Sequence, residues 1–150
     1  MKKIFLVSIF ALFLFSTMSA QTAKKGKKEG VNFFEGTWNE LLEKAKKDKK
    51  PFWVDVYTTW CGPCKMMARQ TFADAEVGKF TDTHFISYKL DAEKGEGVSI
   101  SEKYGVEAYP TFLIFNAEGK LISKEEGFMD AERFVYVLEK HKETKSKNKK

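Results

Sequence analysis

Cysteine is scarce in this chain: 150 residues hold two, Cys61 and Cys64, with only two residues between them. A crosslink stabilises more as the loop it closes grows, and this loop is nearly the smallest possible. A structural staple is therefore a poor explanation for the pair, and chemistry a better one. Histidine is equally scarce, at His84 and His141. A zinc site needs four converging ligands and His141 lies in a polar tail, so no metal is expected. No apolar run after the first fifteen residues could span a membrane, which takes roughly 20 residues. No cysteine follows that first run, which argues against a lipid-anchored lipoprotein. There is no internal repeat, and no basic surface interleaved with aromatics of the kind that reads nucleic acid.

What is present is apolar and aromatic. The hydrophobic fraction is 43% and the aromatic fraction 15%, with 14 Phe, a globular composition. The net charge of +5 is carried by the chain ends. Val31 to Lys140 holds 15 basic and 19 acidic residues, a net of −4. The basic ends read as solubilising segments.

Residues 1–20 have the build of a secretory signal peptide. Lys2 and Lys3 form a basic start, Ile4 to Phe15 is apolar except for Ser8, and Ser16 to Ala20 is small or polar. The apolar run is short for a spanning helix, so cleavage near Ala20 is expected, with no stable membrane insertion afterwards. The rest is expected to be exported, periplasmic or secreted. Residues 21–31 read as a flexible basic linker, 32–140 as one domain and 141–150 as a disordered basic tail.

Inside the domain, Thr37 and Glu40 make a capping box, and Trp38, Leu41, Leu42 and Ala45 share one helix face. The lysines from Lys46 to Lys50 end that helix and Pro51 opens a strand. Phe52 to Tyr57 suits a strand buried on both faces, with Asp55 as its polar exception. A helix begins at the cysteine segment, with Pro63 in its first turn. It carries Met66, Met67 and Ala68, and at least one methionine is expected in the core. Asp74 caps a second helix through Phe80, Phe85 to Leu90 is a strand, and Ile100 to Tyr104 a helix stopped by Gly105. Thr111 to Phe115 and Lys120 to Lys124 flank a hairpin turn at Asn116 to Gly119. Asp130 caps a last helix with Ala131, Phe134, Val135 and Leu138 inward. This order predicts an α/β fold with a mixed sheet.

Trp60-Cys61-Gly62-Pro63-Cys64-Lys65 lies between a buried strand and a helix, the setting of a redox motif. Cys61 at the helix N-terminus meets unpaired N–H groups and the helix dipole, which favour a thiolate. Only the thiolate attacks disulfides. Cys64, one turn in, can close the disulfide and release a substrate. Gly62 permits the tight turn and Pro63 stiffens it. Asp55, buried in a strand, should have a raised pKa and could take the proton from Cys64, with Lys89 tempering its burial.

Over about residues 33 to 140 the chain resembles the thioredoxin superfamily. The resemblance rests on Asp55 six residues before Cys61, the Trp-Cys-Gly-Pro-Cys-Lys segment, Lys89 in the next strand, and Tyr109-Pro110-Thr111. Within it, Lys65 to Asp74 and Gly127-Phe128-Met129-Asp130-Ala131-Glu132 are similar to the C-terminal thioredoxin-like domain of DsbD-type membrane reductases. The Gly-Pro dipeptide is instead that of cytosolic thioredoxin. The resemblance implies a thioredoxin fold, a central mixed β-sheet flanked by helices. It also implies that Pro110 is cis and faces the cysteines, keeping metal off the thiols. Trp60, Ala108, Tyr109, Gly127 and Phe128 would rim a shallow apolar docking surface, to which Gly62 and Pro63 belong.

The function expected is an enzyme: a protein-disulfide reductase in which Cys61 attacks, Cys64 resolves and Asp55 manages the proton. No cofactor is required beyond the Cys61–Cys64 disulfide. The partners are exported proteins with disulfides and a membrane or soluble electron donor. Competing readings are a disulfide oxidase or isomerase, a non-catalytic binding module or chaperone, and a Cys/His metal carrier.

Overall fold

The computed structural model describes residues 29–142. The expected signal peptide, residues 21–28 of the expected linker, and the tail beyond Lys142 lie outside the described residues.

Strand β1, Phe52–Tyr57, has no side for water: its first five residues are all buried. That burial follows from its place in the sheet. β2 (Ile86–Asp91) pairs with it in parallel on one edge and β3 (Thr111–Phe115) antiparallel on the other. β4 (Leu121–Glu126) pairs antiparallel with β3, completing the order β2-β1-β3-β4. β4 alternates half-buried and exposed residues, as an edge strand with one wet face should. The register sets Asp55 beside Lys89 on β2 and Phe112 on β3.

Five helices cover the sheet: α1 (Trp38–Asp48), α2 (Gly62–Arg69), α3 (Ala75–His84), α4 (Glu96–Lys103) and α5 (Ala131–Glu139). The capping box at α1 forms as its residues predict. Thr37 Oγ1 accepts the Glu40 N–H, and Glu40 Oε2 accepts the Thr37 N–H at 2.7 Å. Asp74 and Asp130 cap α3 and α5 through N–H groups of their first turns.

The sheet separates two cores. On one face Trp38, Leu41 and Ala45 of α1 and Ile100 of α4 meet Phe52, Val54, Val56, Leu113 and Phe115. Phe52 and Phe115 stack at 4.6 Å, and Trp38 stands edge-on to both. On the other face Met67 of α2, Val77 of α3 and Phe134 and Leu138 of α5 pack on Trp53, Phe112 and Ile114. Each fully buried side chain of this size contributes about 1.5–3 kcal/mol.

Strands β2 and β4 end one and two residues later than expected, and three further boundaries differ in ways that bear on the packing. Helix α3 runs four residues past Phe80, because Thr81 and Thr83 bond back to Val77 and Lys79 carbonyls and so fit a helix interior. Helix α4 begins at Glu96 rather than Ile100. Gly97 lies so close to the Asp91 carbonyl that a Cβ would sit 1.8 Å from its oxygen. The glycine serves this approach, and Glu96 Oε2 accepts the Trp38 N–H at 2.9 Å, tying α4 to α1.

The third is the expected linker, whose last residues belong to the packed domain. Gly30 (φ +88°) crosses Gly78 of α3, where a Cβ would sit 2.1 Å from the Gly30 carbonyl oxygen. Val31 is buried and donates its N–H to the Phe72 carbonyl, and Phe33 bridges to Ser87 beside β2. Among the described residues no helix is long and apolar enough to cross a membrane.

Candidate active site

β1 ends at Tyr57, and four residues later Cys61 caps α2. The cap residue keeps an extended backbone (φ −67°, ψ 113°) and its sulfur accepts the Cys64 N–H at 3.0 Å. The same N–H is aimed at negative charge when that sulfur is ionised. Pro63 stands in the first turn, where a missing donor costs nothing. One turn of helix brings the two Cα atoms to 5.3 Å, and the sulfurs are joined at 2.05 Å in a disulfide. Both cysteines are buried, while Gly62 and Pro63 between them are exposed.

Around this pair stands an apolar rim. Trp60 is 64% exposed, its N–H donates to Glu93 Oε1 at 2.9 Å, and its ring meets Tyr109 edge to face at 5.9 Å. That contact joins the cysteine segment to the Tyr109–Pro110 peptide bond, which is cis. Pro110 is buried, and its carbonyl accepts the Gly127 N–H at 2.8 Å. Phe128 follows Gly127, half exposed like Met66 of α2. Ala108 is exposed, and its carbonyl accepts the Thr111 hydroxyl at 2.7 Å.

Two stretches far apart in sequence close under this rim. Thr71 donates its hydroxyl to the Met129 carbonyl at 2.6 Å, and the Met129 N–H points at Met67 Sδ at 3.3 Å. Helix α2 and the Gly127–Phe128 turn are thereby fastened together.

On the inner side, Asp55 is completely buried. Its Oδ2 lies 3.3 Å from Lys89 Nζ. Burial pushes its pKa up to about 6, and the Lys89 ammonium holds it from rising further. Asp55 and Lys89 are thus brought together as expected. Glu93 is a rim residue that sequence reasoning missed. It lies two residues beyond β2, and nothing in the spacing marks it as a partner for Trp60. Among the described residues no group of three His, Cys, Asp or Glu is placed to hold a metal.

A disulfide at a helix start, a cis-proline turn joined to the cysteine segment through Trp60 and Tyr109, and a buried carboxyl on the strand that leads into that segment define a thiol–disulfide exchange domain. The comparisons carry this to a family. Residues 38–142 match the model of the thioredoxin-like domain. Thioredoxin Y2 from Arabidopsis thaliana chloroplasts is 36% identical over 118 residues, covering 79% of this chain and 63% of that protein. The thiol:disulfide interchange protein DsbD of Photorhabdus laumondii is 31% identical over 118 residues, 75% of this chain but 20% of that protein. A solved structure of a candidate disulphide-isomerase from Bacteroides thetaiotaomicron superposes with a TM-score of 0.67 at 39% identity, covering 75% of this chain and 93% of that one. The chain belongs to the thioredoxin-like family, and the domain is a thiol–disulfide oxidoreductase of that type. It spans less than two thirds of the length of thioredoxin Y2 and a fifth of DsbD.

Proposed function

We propose that this chain is an exported protein-disulfide reductase. The observation that carries the reading is the Cys61 sulfur at the cap of α2, accepting the Cys64 N–H and bonded to the Cys64 sulfur. In the reduced protein the Cys61 thiolate attacks one sulfur of a client disulfide. A Cys61–client disulfide forms and one client thiolate leaves. Asp55 accepts the proton of the Cys64 thiol, and the Cys64 thiolate attacks the Cys61 sulfur. This releases the second client thiolate and leaves the Cys61–Cys64 disulfide. Two electrons have passed to the client, and a dithiol donor protein must restore the pair.

A carboxyl titrating at about 6 suits this task, because it is ionised at neutral pH and still basic enough to take a proton. The exposed rings of Trp60 and Phe128 and the half-buried Tyr109 offer an apolar seat for an extended client segment. The direction rests on the Gly-Pro dipeptide and on the thioredoxin relatives. Export rests on the N-terminal pattern of Lys2, Lys3 and Ile4 to Phe15. The isomerase alternative draws on the Bacteroides thetaiotaomicron relative.

Two experiments test the reading. Insulin reduction by dithiothreitol should be accelerated by the wild-type protein and not by Cys61→Ser. Equal acceleration by both would make the domain a binding module. The equilibrium potential of the Cys61–Cys64 pair against glutathione should fall near the thioredoxin value of roughly −270 mV. A value nearer about −120 mV would make it an oxidase.

A further inference from the structure

The Lys89 ammonium is enclosed by more than its carboxylate partner. Its nitrogen lies 4.6 Å from the ring centre of Tyr57, 5.5 Å from that of Phe33 and 5.6 Å from that of Phe72. The three rings come from three segments: the packed N-terminal stretch, the end of β1, and the turn between α2 and α3. A lysine side chain 31% exposed ordinarily extends its head to water. This one keeps its nitrogen among ring faces, whose quadrupoles attract a cation at such distances.

The enclosure is itself braced. Phe33 packs edge-on against Phe72 at 5.5 Å and Trp53 at 5.6 Å. Its segment is tied down by the Val31 N–H to the Phe72 carbonyl and the Phe34 N–H to the Ser87 carbonyl. The neighbouring carboxylate, Asp91, is engaged by Lys94 at 3.0 Å, leaving Asp55 as the partner Lys89 serves. The other groups around Asp55 carry no competing charge. Tyr57 stays neutral, its pKa raised by burial and by Asp91, and β3 presents Phe112 beside Asp55.

We propose that Phe33, Tyr57 and Phe72 are positioning residues that hold the Lys89 ammonium over Asp55 and so set how readily Asp55 exchanges its proton. The bearing of this on turnover rests on the proton-acceptor role proposed for Asp55; the titration of Asp55 does not.

The test follows the Asp55 carboxyl by carbon NMR in the oxidised full chain across pH. Phe33→Leu and Tyr57→Leu keep apolar bulk and remove a ring, and each should raise the titration midpoint by roughly half a unit. Phe33→Tyr restores a ring and should return the midpoint to the wild-type value. Lys89→Met should raise it by about one unit or more. Midpoints unchanged or lowered in the two leucine variants, whose fold is checked by circular dichroism, would overturn the proposal, as would an unmoved midpoint in Lys89→Met. The pH profile of client release is measured on the same proteins and should shift in parallel. A midpoint that moves without the profile supports the positioning role and removes Asp55 from the proton step.

Discussion

The two faces of the sheet are built from similar amounts of apolar material and do different work. The α1/α4 face is filled by stacked and edge-on rings around Phe52, Phe115 and Trp38, with the Tyr88 hydroxyl bonded to the Gly36 carbonyl at 2.9 Å. The α2/α3/α5 face is just as aromatic, yet Asp55 is buried on it with the Lys89 ammonium at 3.3 Å as its partner. A buried carboxyl costs stability unless it is paired and hydrogen-bonded. Lys89 offsets only part of that cost, since the Asp55 pKa stays raised to about 6, so one face is given to packing while the other also carries a titrating group on the strand that leads to the cysteine segment.

Substitutions should separate the faces. The largest effect belongs to the reactive face: Cys61→Ser should abolish turnover in the insulin assay, and Cys64→Ser should accumulate client mixed disulfides visible by mass spectrometry. On the opposite face, Phe52→Ala should lower unfolding free energy by about 3–5 kcal/mol in a denaturant titration. It should leave the pH profile of client release where it was. If that profile moves, the two faces are coupled and the contrast fails.

Asp55→Asn reverses the usual sign. Burial lifts the Asp55 pKa from an ordinary 3.8 to about 6, so between those values the folded protein holds a proton that the unfolded chain releases. Stability should fall as pH rises through that window and stay lower above it, by about 3 kcal/mol at most. Asp55→Asn should flatten this dependence and make the protein more stable at pH 8, while slowing resolution of the mixed disulfide. A variant no more stable than wild type at pH 8 would show that Lys89 already offsets the burial. The smallest effect lies at an exposed cap: Thr37→Ala, removing the α1 cap, should cost about 1 kcal/mol with no change in turnover.

Much of the stability-giving face was legible in the sequence because its signals are local. Thr37 with Glu40, the apolar spacing of Trp38, Leu41 and Ala45, and the unbroken run of β1 each declare their role within a dozen residues. On the reactive face the same held for Cys61, Pro63 and Cys64, and the register confirmed Asp55 beside Lys89. What stayed hidden was assembled across the chain. Phe33, Tyr57 and Phe72 come from three separate segments and are brought together around one nitrogen. Glu93 is one acid among many until Trp60 turns its indole toward it. The early start of α4 was masked by Gly95 at its cap and Gly97 in its first turn; Gly97 lowers helix propensity but permits the approach to Asp91.

The two bonds at Met129, one accepted from the Thr71 hydroxyl and one donated to Met67 Sδ, have a consequence for client capture in the proposed function. Both partners lie on or just after the helix that carries the disulfide, so the turn before Met129 is fastened to that helix. In the proposed exchange, a client strand arriving at Phe128 meets a surface already tied to the helix that carries the attacking sulfur. Association then loses little entropy to ordering the receptor, and selectivity among clients falls to the flexibility of the client itself.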